Sequence, residues 1–291
     1  MKALVIGASG LVGLHLMQSG HTRGWQMIGT YAAHPEEGLV HFNMSDTSQV
    51  STVLQAQQPD IIFLTAFNGN ADDCELHPAE TRRNNVEGSM HVIRAAHTMQ
   101  KIIVFYSTDY VFDGRTGPYT ETDKPHPMND YGRQKLAIEK EMTALHGKQL
   151  IIRTTGVFGW EKQEKNFFCH VLRALKHDED MRVPTDQIST PTFAPDLAEA
   201  SLSLAERQTA GVFHVAGPEL LSRFSFAEAI AEAFDLPKNH LKPATTLALK
   251  QLAARPLRGG LLCEKLRQAL PAWQSHSITE SLHLLRSTYR E

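Results

Sequence analysis

The sequence predicts an α/β protein with a Rossmann-type doubly wound parallel sheet and a smaller C-terminal α/β substrate domain. Short apolar runs alternate with stretches of helical periodicity through the first half of the chain, a pattern typical of serial β–α–β units and a parallel sheet. A glycine-rich turn follows the first of these runs, and past residue 155 Pro and Gly interrupt the pattern. We therefore assign residues 1–155 to the sheet domain and residues 156–291 to a second, substrate-binding region.

Five apolar runs predict the strands of the first domain: residues 3–6, 27–30, 61–65, 102–107 and 150–153. Between them, residues 46–57 and 85–97 carry apolar side chains at helical spacing and are expected to form crossover helices. In the second region, residues 196–207 have the same periodicity, and Ser225 opens a capping-box sequence that predicts another helix. One further apolar run, 212–215, lies between these helices and is a candidate to return to the sheet.

Composition and charge exclude several classes of partner. The 29 Lys and Arg residues against 32 Asp and Glu residues give a formal net charge of -3, which argues against nucleic acid. No apolar run reaches the roughly 18 residues of a membrane span, and glycines interrupt the apolar N-terminus, unlike a signal peptide. The three cysteines lie far apart without metal-ligand spacing, which favours a reduced cytoplasmic compartment. The histidines form no metal-binding pattern with acidic residues, so no metal site is predicted.

Gly7, Gly10 and Gly13 stand in the sequence GASGLVG, directly after the first predicted strand and at the start of a helix. Glycines in such a turn let the backbone tighten, approach a pyrophosphate and pack the helix on the strand. The helix N-terminus adds free N–H groups and a partial positive charge. A tight turn selected for packing alone is the alternative, but the position in the first β–α unit favours a dinucleotide site.

The residues after the second strand bear on which dinucleotide is bound. A carboxylate there holds the ribose hydroxyls of NAD, and an arginine accepts the extra phosphate of NADP. The segment from Thr30 to His34 contains neither. Because no acid is present to repel a phosphate, NADP is favoured, with NAD as the alternative. Asn43 and Met44, after the next strand, are candidate neighbours of the adenine, although an ordinary loop explains them nearly as well.

Tyr131 and Lys135 are four residues apart at the start of a predicted helix, with Asn129 or Asp130 as its cap. Their phenol and ammonium groups therefore share one helix face. A tyrosine pKa of about 10 must fall to about 7 for efficient proton exchange at neutral pH, which requires about 4 kcal/mol. One ammonium at about 4 Å, at an effective dielectric constant of about 20, supplies that amount. An exposed helix face is the alternative explanation of the spacing.

Thr108 follows the predicted strand 102–107. Open parallel sheets bind ligands at the carboxyl ends of their strands, so the Thr108 hydroxyl at this position could hydrogen-bond a substrate carbonyl or alkoxide. The glycine turn, the hydroxyl at a strand end and the Tyr-x-x-x-Lys spacing together predict a catalytic set next to a nicotinamide dinucleotide.

These motifs resemble those of the extended short-chain dehydrogenase/reductases, and within them the sequence is most similar to the dTDP-4-dehydrorhamnose reductase branch. The segments that carry the resemblance are GASGLVG, STDYVFDG over residues 107–114 and YGRQK over residues 131–135. The likeness continues along nearly the whole chain, in ADDCE (71–75), Asn85, RTTGVFG (153–159), Asn166, Gln187, Pro191 with Thr192, and Arg255 with Pro256.

The resemblance implies NAD(P)H-dependent reduction of the 4-keto group of a nucleotide-linked 6-deoxysugar, with hydride from the nicotinamide and the proton from Tyr131. Lys135 would hold the nicotinamide ribose and lower the tyrosine pKa, and Thr108 would orient the carbonyl. The cofactor-binding residues it implies are Gly7, Ser9, Gly10, Leu11, Val12, Gly13, Tyr31, His34, Asn43, Met44, Thr65, Ala66, Phe67, Asn85, Tyr131 and Lys135. The substrate-binding residues it implies are Asp109, Tyr110, Val111, Asn166, Gln187 and Arg255.

The chain departs from the family pattern on the substrate side, which leaves alternatives open. Gly156 stands where the rhamnose reductases usually carry an aromatic residue, and RPLRGGLL around Arg255 replaces an Asn-Ser-Arg-Leu type of sequence. The alternatives are a nucleotide-sugar epimerase or dehydratase, and a non-catalytic NADP-binding subunit resembling the methionine adenosyltransferase β subunit. The presence of Thr108, Tyr131 and Lys135 favours an enzyme. A homodimer is implied at the family level only.

Overall fold

The strands of the computed structural model, which describes residues 1–145 and 147–289, form a large sheet and two small ones within those residues. They are β1 (Lys2–Ile6), β2 (Gln26–Tyr31), β3 (Val40–His41), β4 (Ile61–Leu64), β5 (Ile102–Thr108), β6 (Gln149–Thr154), β7 (Met181–Pro184), β8 (Ile188–Ser189), β9 (Gly211–His214), β10 (Leu221–Ser222) and β11 (Leu241–Ala244). The large sheet is parallel, in the order β3-β2-β1-β4-β5-β6-β9. The predicted Rossmann-type fold is confirmed.

Helices of the described residues cover both faces of the large sheet and build the core of the second region. They are α1 (Leu11–Thr22), α2 (Thr47–Gln57), α3 (Ala71–Leu76), α4 (Pro78–Arg82), α5 (Gly88–Thr98), α6 (Asp130–Ala144), α7 (Phe167–Lys176), α8 (Ala194–Glu206), α9 (Arg223–Ala233), α10 (Thr246–Leu249), α11 (Glu264–Ala269) and α12 (Ile278–Ser287). A π-helical turn, Arg83–Glu87, joins α4 to α5, and 3-10 turns lie at Asp109–Val111 and Lys238–His240. Helices α1 and α8 pack on one face, and α2, α5 and α6 pack on the other.

Successive residues of β1 enter different apolar cores. Ala3 and Val5 join the core under α1 and α8, whereas Leu4 and Ile6 join the core under α2, α5 and α6. Side chains alternate between the two faces of a strand, so a strand that is covered on both faces is apolar throughout. This is the physical reason for the continuous apolar runs from which the large sheet could be predicted.

The apolar run at 212–215 corresponds to β9, which returns to the large sheet. β9 pairs in parallel with β6, with Leu150 opposite Gly211 and Arg153 opposite His214. Helix α8 comes from the same part of the chain and packs against α1. Residues beyond 155 therefore supply the last strand of the sheet and one of its covering helices.

The rest of the second region has an apolar core of its own. Phe168 of α7, Phe226 of α9 and Leu282 of α12 are buried in it. Two small sheets flank this core, in which β8 pairs antiparallel with β10 and β7 pairs in parallel with β11. These strands are short and were not predicted.

One predicted helix start is wrong. Helix α9 begins at Arg223, and Ser222 is its cap, because the Ser222 hydroxyl accepts a hydrogen bond from the Ser225 N–H at 2.9 Å. Ser222 has the extended backbone that a capping residue requires, whereas Ser225 already lies inside the first turn. Helix α8 begins two residues before the predicted Asp196, with Pro195 in its first turn, where the missing N–H of proline costs nothing.

The described residues contain neither a membrane-spanning helix nor a cluster of metal ligands. Among residues 1–145 and 147–289, no helix combines the length and the apolar character needed to span a bilayer. Within the same residues, no group of three or more His, Cys, Asp or Glu side chains is placed to hold a metal ion. Cys74, Cys169 and Cys263 are all buried and unpaired in this part of the chain.

Candidate active site

A cleft runs along the carboxyl ends of the sheet strands and consists of three adjoining cavities. The glycine-turn cavity, about 610 Å³, lies over the ends of β1, β2 and β4. The tyrosine cavity, about 320 Å³, is lined by Thr108 and Tyr131. A connecting cavity of about 990 Å³ shares Phe67 and Asn68 with the first and Gly69 with the second. The cleft thus includes the switch in strand order between β1 and β4, where open α/β sheets bind ligands.

The three glycines of the turn have different reasons to be glycine. Gly7 has a φ of +94°, and a Cβ on it would lie 2.7 Å from the Ala66 nitrogen. A Cβ on Gly13 would lie 2.3 Å from the Gly7 oxygen, so this glycine lets α1 approach the turn. At Gly10 the nearest atom would be an ordinary 3.5 Å away. Protein packing therefore does not require Gly10, and its missing side chain keeps space free on the ligand side.

The N-terminus of α1 is open to ligand binding. Gly10 is its cap and provides no side-chain hydrogen bond, so the first-turn N–H groups of Leu11, Val12 and Gly13 lack a side-chain acceptor. These donors and the helix dipole favour an anion such as a pyrophosphate. Leu11, Val12 and Gly13 are not among the residues that line the glycine-turn cavity, so the prediction that they bind the cofactor depends on these N–H groups at the start of α1.

Most of the residues predicted to bind the cofactor line the glycine-turn cavity. They are Gly7, Ser9, Gly10, Tyr31, His34, Asn43, Met44, Thr65, Ala66, Phe67 and Asn85. Asn85 lies in the π-helical turn and is buried. Its side-chain oxygen accepts a hydrogen bond from the Asn68 N–H at 2.8 Å, and its amide donates to Gln134 at 2.9 Å. Asn85 thereby ties the cavity wall after β4 to helix α6.

Among the lining residues that were not predicted, three come from a distant part of the chain. Glu161, Gln163 and Lys165 come from the loop between β6 and α7. This loop lies more than a hundred residues after the glycine turn along the chain. No local sequence pattern links the two segments, because only the three-dimensional fold brings them together.

The three residues predicted for catalysis lie close to one another. Tyr131 is in the first turn of α6, whose cap Asn129 accepts a hydrogen bond from the Gly132 N–H at 2.8 Å. Thr108 ends β5 and, like Tyr131, lines the tyrosine cavity. Lys135 follows one turn later and is buried, with its Nζ donating to the Tyr106 carbonyl at 2.6 Å.

The expectation that Lys135 lowers the tyrosine pKa is wrong for this structure. Burial raises the pKa of Tyr131 above its usual value, and a hydrogen bond with Thr108 offsets only part of this effect. The Lys135 Nζ lies 5.9 Å from the centre of the Tyr131 ring, and burial lowers the pKa of Lys135 itself to about 7. Tyr131 is therefore a protonated phenol at neutral pH, which is the form that can donate a proton.

The residues predicted for substrate binding divide into three groups. Asp109, Tyr110 and Arg255 line the tyrosine cavity. Asn166 lines the connecting cavity. Gln187 and Val111 are not among the lining residues of either cavity.

Gln187 is connected to the tyrosine cavity through a second residue, and Val111 belongs to the core. The Gln187 amide donates to the Gln251 side chain at 2.7 Å, and Gln251 lines the tyrosine cavity. The Val111 side chain is fully buried in the core under α1 and α8. This burial corrects the prediction for Val111, since only its backbone remains for a ligand.

Two arginines line the tyrosine cavity, and one of them was not predicted. Arg255 pairs with Asp72, with 2.9 Å between Nη2 and Oδ1. Arg223, at the start of α9, stacks over the Phe167 ring at 5.0 Å. Both guanidinium groups could meet an anionic ligand. Arg223 could not be predicted because it lies 92 residues after Tyr131 in a segment without any motif.

The two departures from the family pattern both change this cavity. Gly156 lines it, and a Cβ there would be 3.6 Å or more from its neighbours, so the absent aromatic side chain leaves the cavity wider. Its φ of +51° also favours glycine. In the RPLRGGLL segment, a Cβ on Gly259 would lie 2.8 Å from Asp109 Oδ2. Gly259 therefore lets this segment pass against the buried Asp109 carboxyl.

Comparisons with known proteins agree with this geometry. The family model described as the RmlD substrate binding domain matches residues 1–286. Methionine adenosyltransferase 2 subunit beta of Danio rerio is 30% identical over 272 residues, which are 91% of this chain and 84% of that protein. The probable low-salt glycan biosynthesis reductase Agl14 of Haloferax volcanii is 30% identical over 270 residues, 90% of this chain and 89% of that protein.

A solved structure extends the likeness to three dimensions. The crystal structure of dTDP-4-dehydrorhamnose reductase from Bacillus anthracis in complex with NADP superposes with a TM-score of 0.88. The sequence identity is 28%, and the match covers 99% of each chain. The likeness therefore includes both the large sheet and the second region.

Proposed function

This chain belongs to the family of the RmlD substrate binding domain, and from this membership we propose that it is an NADPH-dependent reductase of the extended short-chain dehydrogenase/reductase type. Its proposed substrate is the 4-keto group of a nucleotide-linked 6-deoxysugar. The observation that carries the proposal is the continuous cleft from the anion-binding N-terminus of α1 to the protonated phenol of Tyr131. One end suits a dinucleotide phosphate, and the other suits a carbonyl oxygen that must gain a proton.

In the proposed mechanism, the hydride for the carbonyl carbon would come from a nicotinamide held in this cleft. Tyr131 donates its proton to the carbonyl oxygen, so that the ketone becomes an alcohol. The Thr108 hydroxyl donates a hydrogen bond to the same oxygen and holds it towards the phenol. Lys135 would hold the nicotinamide ribose, and the Tyr106 carbonyl that it contacts keeps its ammonium in place. Because burial raises its pKa, Tyr131 is protonated at neutral pH and holds the proton that the reducing direction requires.

A reaction with defined stoichiometry tests the proposed activity. The purified protein is mixed with NADPH and a dTDP-linked 4-keto-6-deoxysugar, and absorbance is followed at the band of the reduced nicotinamide. Loss of one NADPH for each sugar reduced is the expected result. Conversion of the sugar without net loss of NADPH would instead indicate an epimerase or dehydratase, in which the cofactor is regenerated in each cycle.

A second candidate function has support of its own. The 30% identity to methionine adenosyltransferase 2 subunit beta favours a non-catalytic NADP-binding subunit as the alternative. The joint placement of Thr108, Tyr131 and Lys135 in one cleft favours the enzyme. Stable co-elution with a methionine adenosyltransferase catalytic subunit, together with no NADPH oxidation on any keto-sugar nucleotide, would decide for the alternative.

NADP is the proposed cofactor, because the stretch from Thr30 to His34, at the end of β2, contains no acid to repel a phosphate. Ala32 lies in this segment and lines the glycine-turn cavity. Ala32→Asp is expected to shift the preference towards NADH by several-fold, since the new carboxylate would repel the 2′-phosphate and accept hydrogen bonds from the ribose hydroxyls. Fluorescence titrations of both cofactors measure the ratio of the two Kd values. An unchanged ratio would place the adenosine ribose elsewhere.

Arg255 is proposed to bind the diphosphate of the sugar nucleotide. Its guanidinium can grip two phosphate oxygens at once, whereas a lysine acts as a point charge. Asp72 holds the guanidinium at the wall of the tyrosine cavity. Arg255→Lys is therefore expected to weaken binding of the sugar nucleotide, and Arg255→Ala to weaken it by about ten-fold or more. Isothermal titration with the substrate gives the Kd of each variant.

Two controls separate this role from a structural one. NADPH affinity and the melting temperature should stay close to wild type in both variants. A free keto-sugar lacks the nucleotide and therefore has no diphosphate for Arg255 to bind. The wild type and both variants should bind it with the same affinity. If both variants bind the full substrate as wild type does, the diphosphate lies elsewhere, and Arg223 is the next residue to replace.

A further inference from the structure

The loop at residues 160–166 brings charged side chains from the second region to the glycine-turn cavity. Glu161 organises this loop, because its Oε1 accepts hydrogen bonds from the Lys165 N–H at 3.0 Å and the Asn166 N–H at 2.7 Å. Lys162 pairs with Glu36 across 3.2 Å, which ties the loop to the segment after β2. The loop is therefore fixed from both sides next to the cavity.

The two lysines of the loop have different partners. The Lys162 ammonium is engaged by the Glu36 carboxylate, whose side chain is only 18% exposed. The Lys165 ammonium instead lies 3.1 Å from Nε2 of His34, and it pairs with no carboxylate among the described residues. Lys165 and His34 both line the glycine-turn cavity. The wall of the cavity therefore carries an ammonium that forms no ion pair in the described part of the chain. Glu161 lines the same cavity, but its Oε1 accepts hydrogen bonds from the Lys165 and Asn166 N–H groups.

The position of this charge indicates its ligand. In a Rossmann sheet the adenosine ribose lies against the segment that follows the second strand, and a cation there accepts the 2′-phosphate of NADP. This chain has Ala32 and Ala33 in that segment and no arginine. His34 belongs to it, and Lys165 reaches His34 from the other side of the cavity. A lysine from a distant part of the chain thus supplies the positive charge that an arginine after the second strand would provide.

We propose that Lys165, together with His34, binds the 2′-phosphate of NADPH and sets the preference of this protein for NADPH over NADH. The proposal rests on the proposed use of a nicotinamide dinucleotide, but it does not depend on which sugar is reduced. Gln163 gives independent support for a polar ligand at this wall. Its side-chain oxygen is buried and accepts no hydrogen bond from the described residues, so it is available to a ribose hydroxyl.

Binding measurements on the full chain test the proposal without any sugar substrate. The Kd values of NADPH, NADH, adenosine 2′,5′-bisphosphate and 5′-AMP are measured by isothermal titration for wild type, Lys165→Gln and Lys165→Arg. Lys165→Gln should weaken NADPH and the bisphosphate by about ten-fold or more, as expected for the loss of one charge-assisted contact to phosphate. NADH and 5′-AMP, which lack the 2′-phosphate, should bind within two-fold of wild type. Lys165→Arg should recover most of the loss.

Lys148→Gln is the matched control for net charge. Lys148 lies at the opposite end of the sheet, immediately before β6, and its ammonium bonds to Gln208, so all four Kd values should remain unchanged. Equal weakening of NADPH and NADH by Lys165→Gln would overturn the proposal, as would full retention of the bisphosphate. Failure to bind any of the four nucleotides in the wild type would instead overturn the proposed function itself.

Discussion

Tyr131→Phe is expected to lower kcat for keto-sugar reduction by about 100-fold or more while leaving the Kd of NADPH unchanged. The substitution removes the phenolic proton but keeps the aromatic ring. That ring packs edge-to-face against Phe67 and Tyr110, with centroid distances of 5.8 Å and 5.6 Å, so the wall of the tyrosine cavity should be preserved. A lower kcat would therefore result from the missing proton donor and not from altered packing of the cavity wall.

Steady-state rates and cofactor titrations on the same preparation provide the measurement. Tyr110→Phe is a matched control, because Tyr110 lines the same cavity and loses the same hydroxyl. Because Tyr110 is itself a predicted substrate contact, we expect Tyr110→Phe to raise KM but to leave kcat within a few-fold of wild type. Wild-type activity in Tyr131→Phe would contradict the proposed mechanism, and equal losses in both variants would move the acid away from Tyr131.

Arg153→Met is expected to lower the free energy of unfolding by about 3–5 kcal/mol. Arg153 in β6 binds the Glu139 carboxylate through two hydrogen bonds, at 3.0 Å and 2.7 Å. Both side chains are almost fully buried, at 5% and 4% exposure. Removing the arginine would leave a buried carboxylate without its partner, and the desolvation of that charge would no longer be compensated.

Urea denaturation of the variant and the wild type measures this difference. The control is Arg94→Met, which breaks an ion pair of similar length with Glu141, 2.9 Å, whose side chains are 59% and 52% exposed. An exposed pair of this kind contributes only about 0–1 kcal/mol. The double variant Arg153→Met with Glu139→Gln should recover part of the stability, because no charge is left buried. An equal, small effect at both pairs would contradict the explanation.

The large sheet could be predicted because its strands are buried on both faces. Ile61–Leu64 and Ile102–Thr108 are buried at every position, so each is a continuous run that stands out in the sequence. The small strands carry no such signal. Leu221–Ser222, for example, has only two residues and is half-buried. The capping residue at Ser222 was missed for the same reason, since it depends on where a two-residue strand ends.

The catalytic residues could be proposed from the sequence because a local motif carries them. Tyr131 and Lys135 share one helix turn, and Thr108 ends an apolar strand. Their electrostatics could not be obtained in this way, because spacing says nothing about burial, and burial determines the pKa of both Tyr131 and Lys135. Arg223 and Lys165 were missed because their positions in the cleft depend on how the second region folds back.

The return of β9 to the sheet has a consequence for any attempt to isolate the first 155 residues. A chain that stopped there would leave β6 as an unpaired edge, with a row of free backbone N–H and C=O groups beside the buried side chains of Leu150 and Ile152. Such an edge is a template for pairing with another molecule. The loss of α8 would also uncover the apolar residues that it packs against. A chain of the first 155 residues would therefore tend to aggregate by strand addition. In the longer chain, β9 pairs with β6 and occupies this edge.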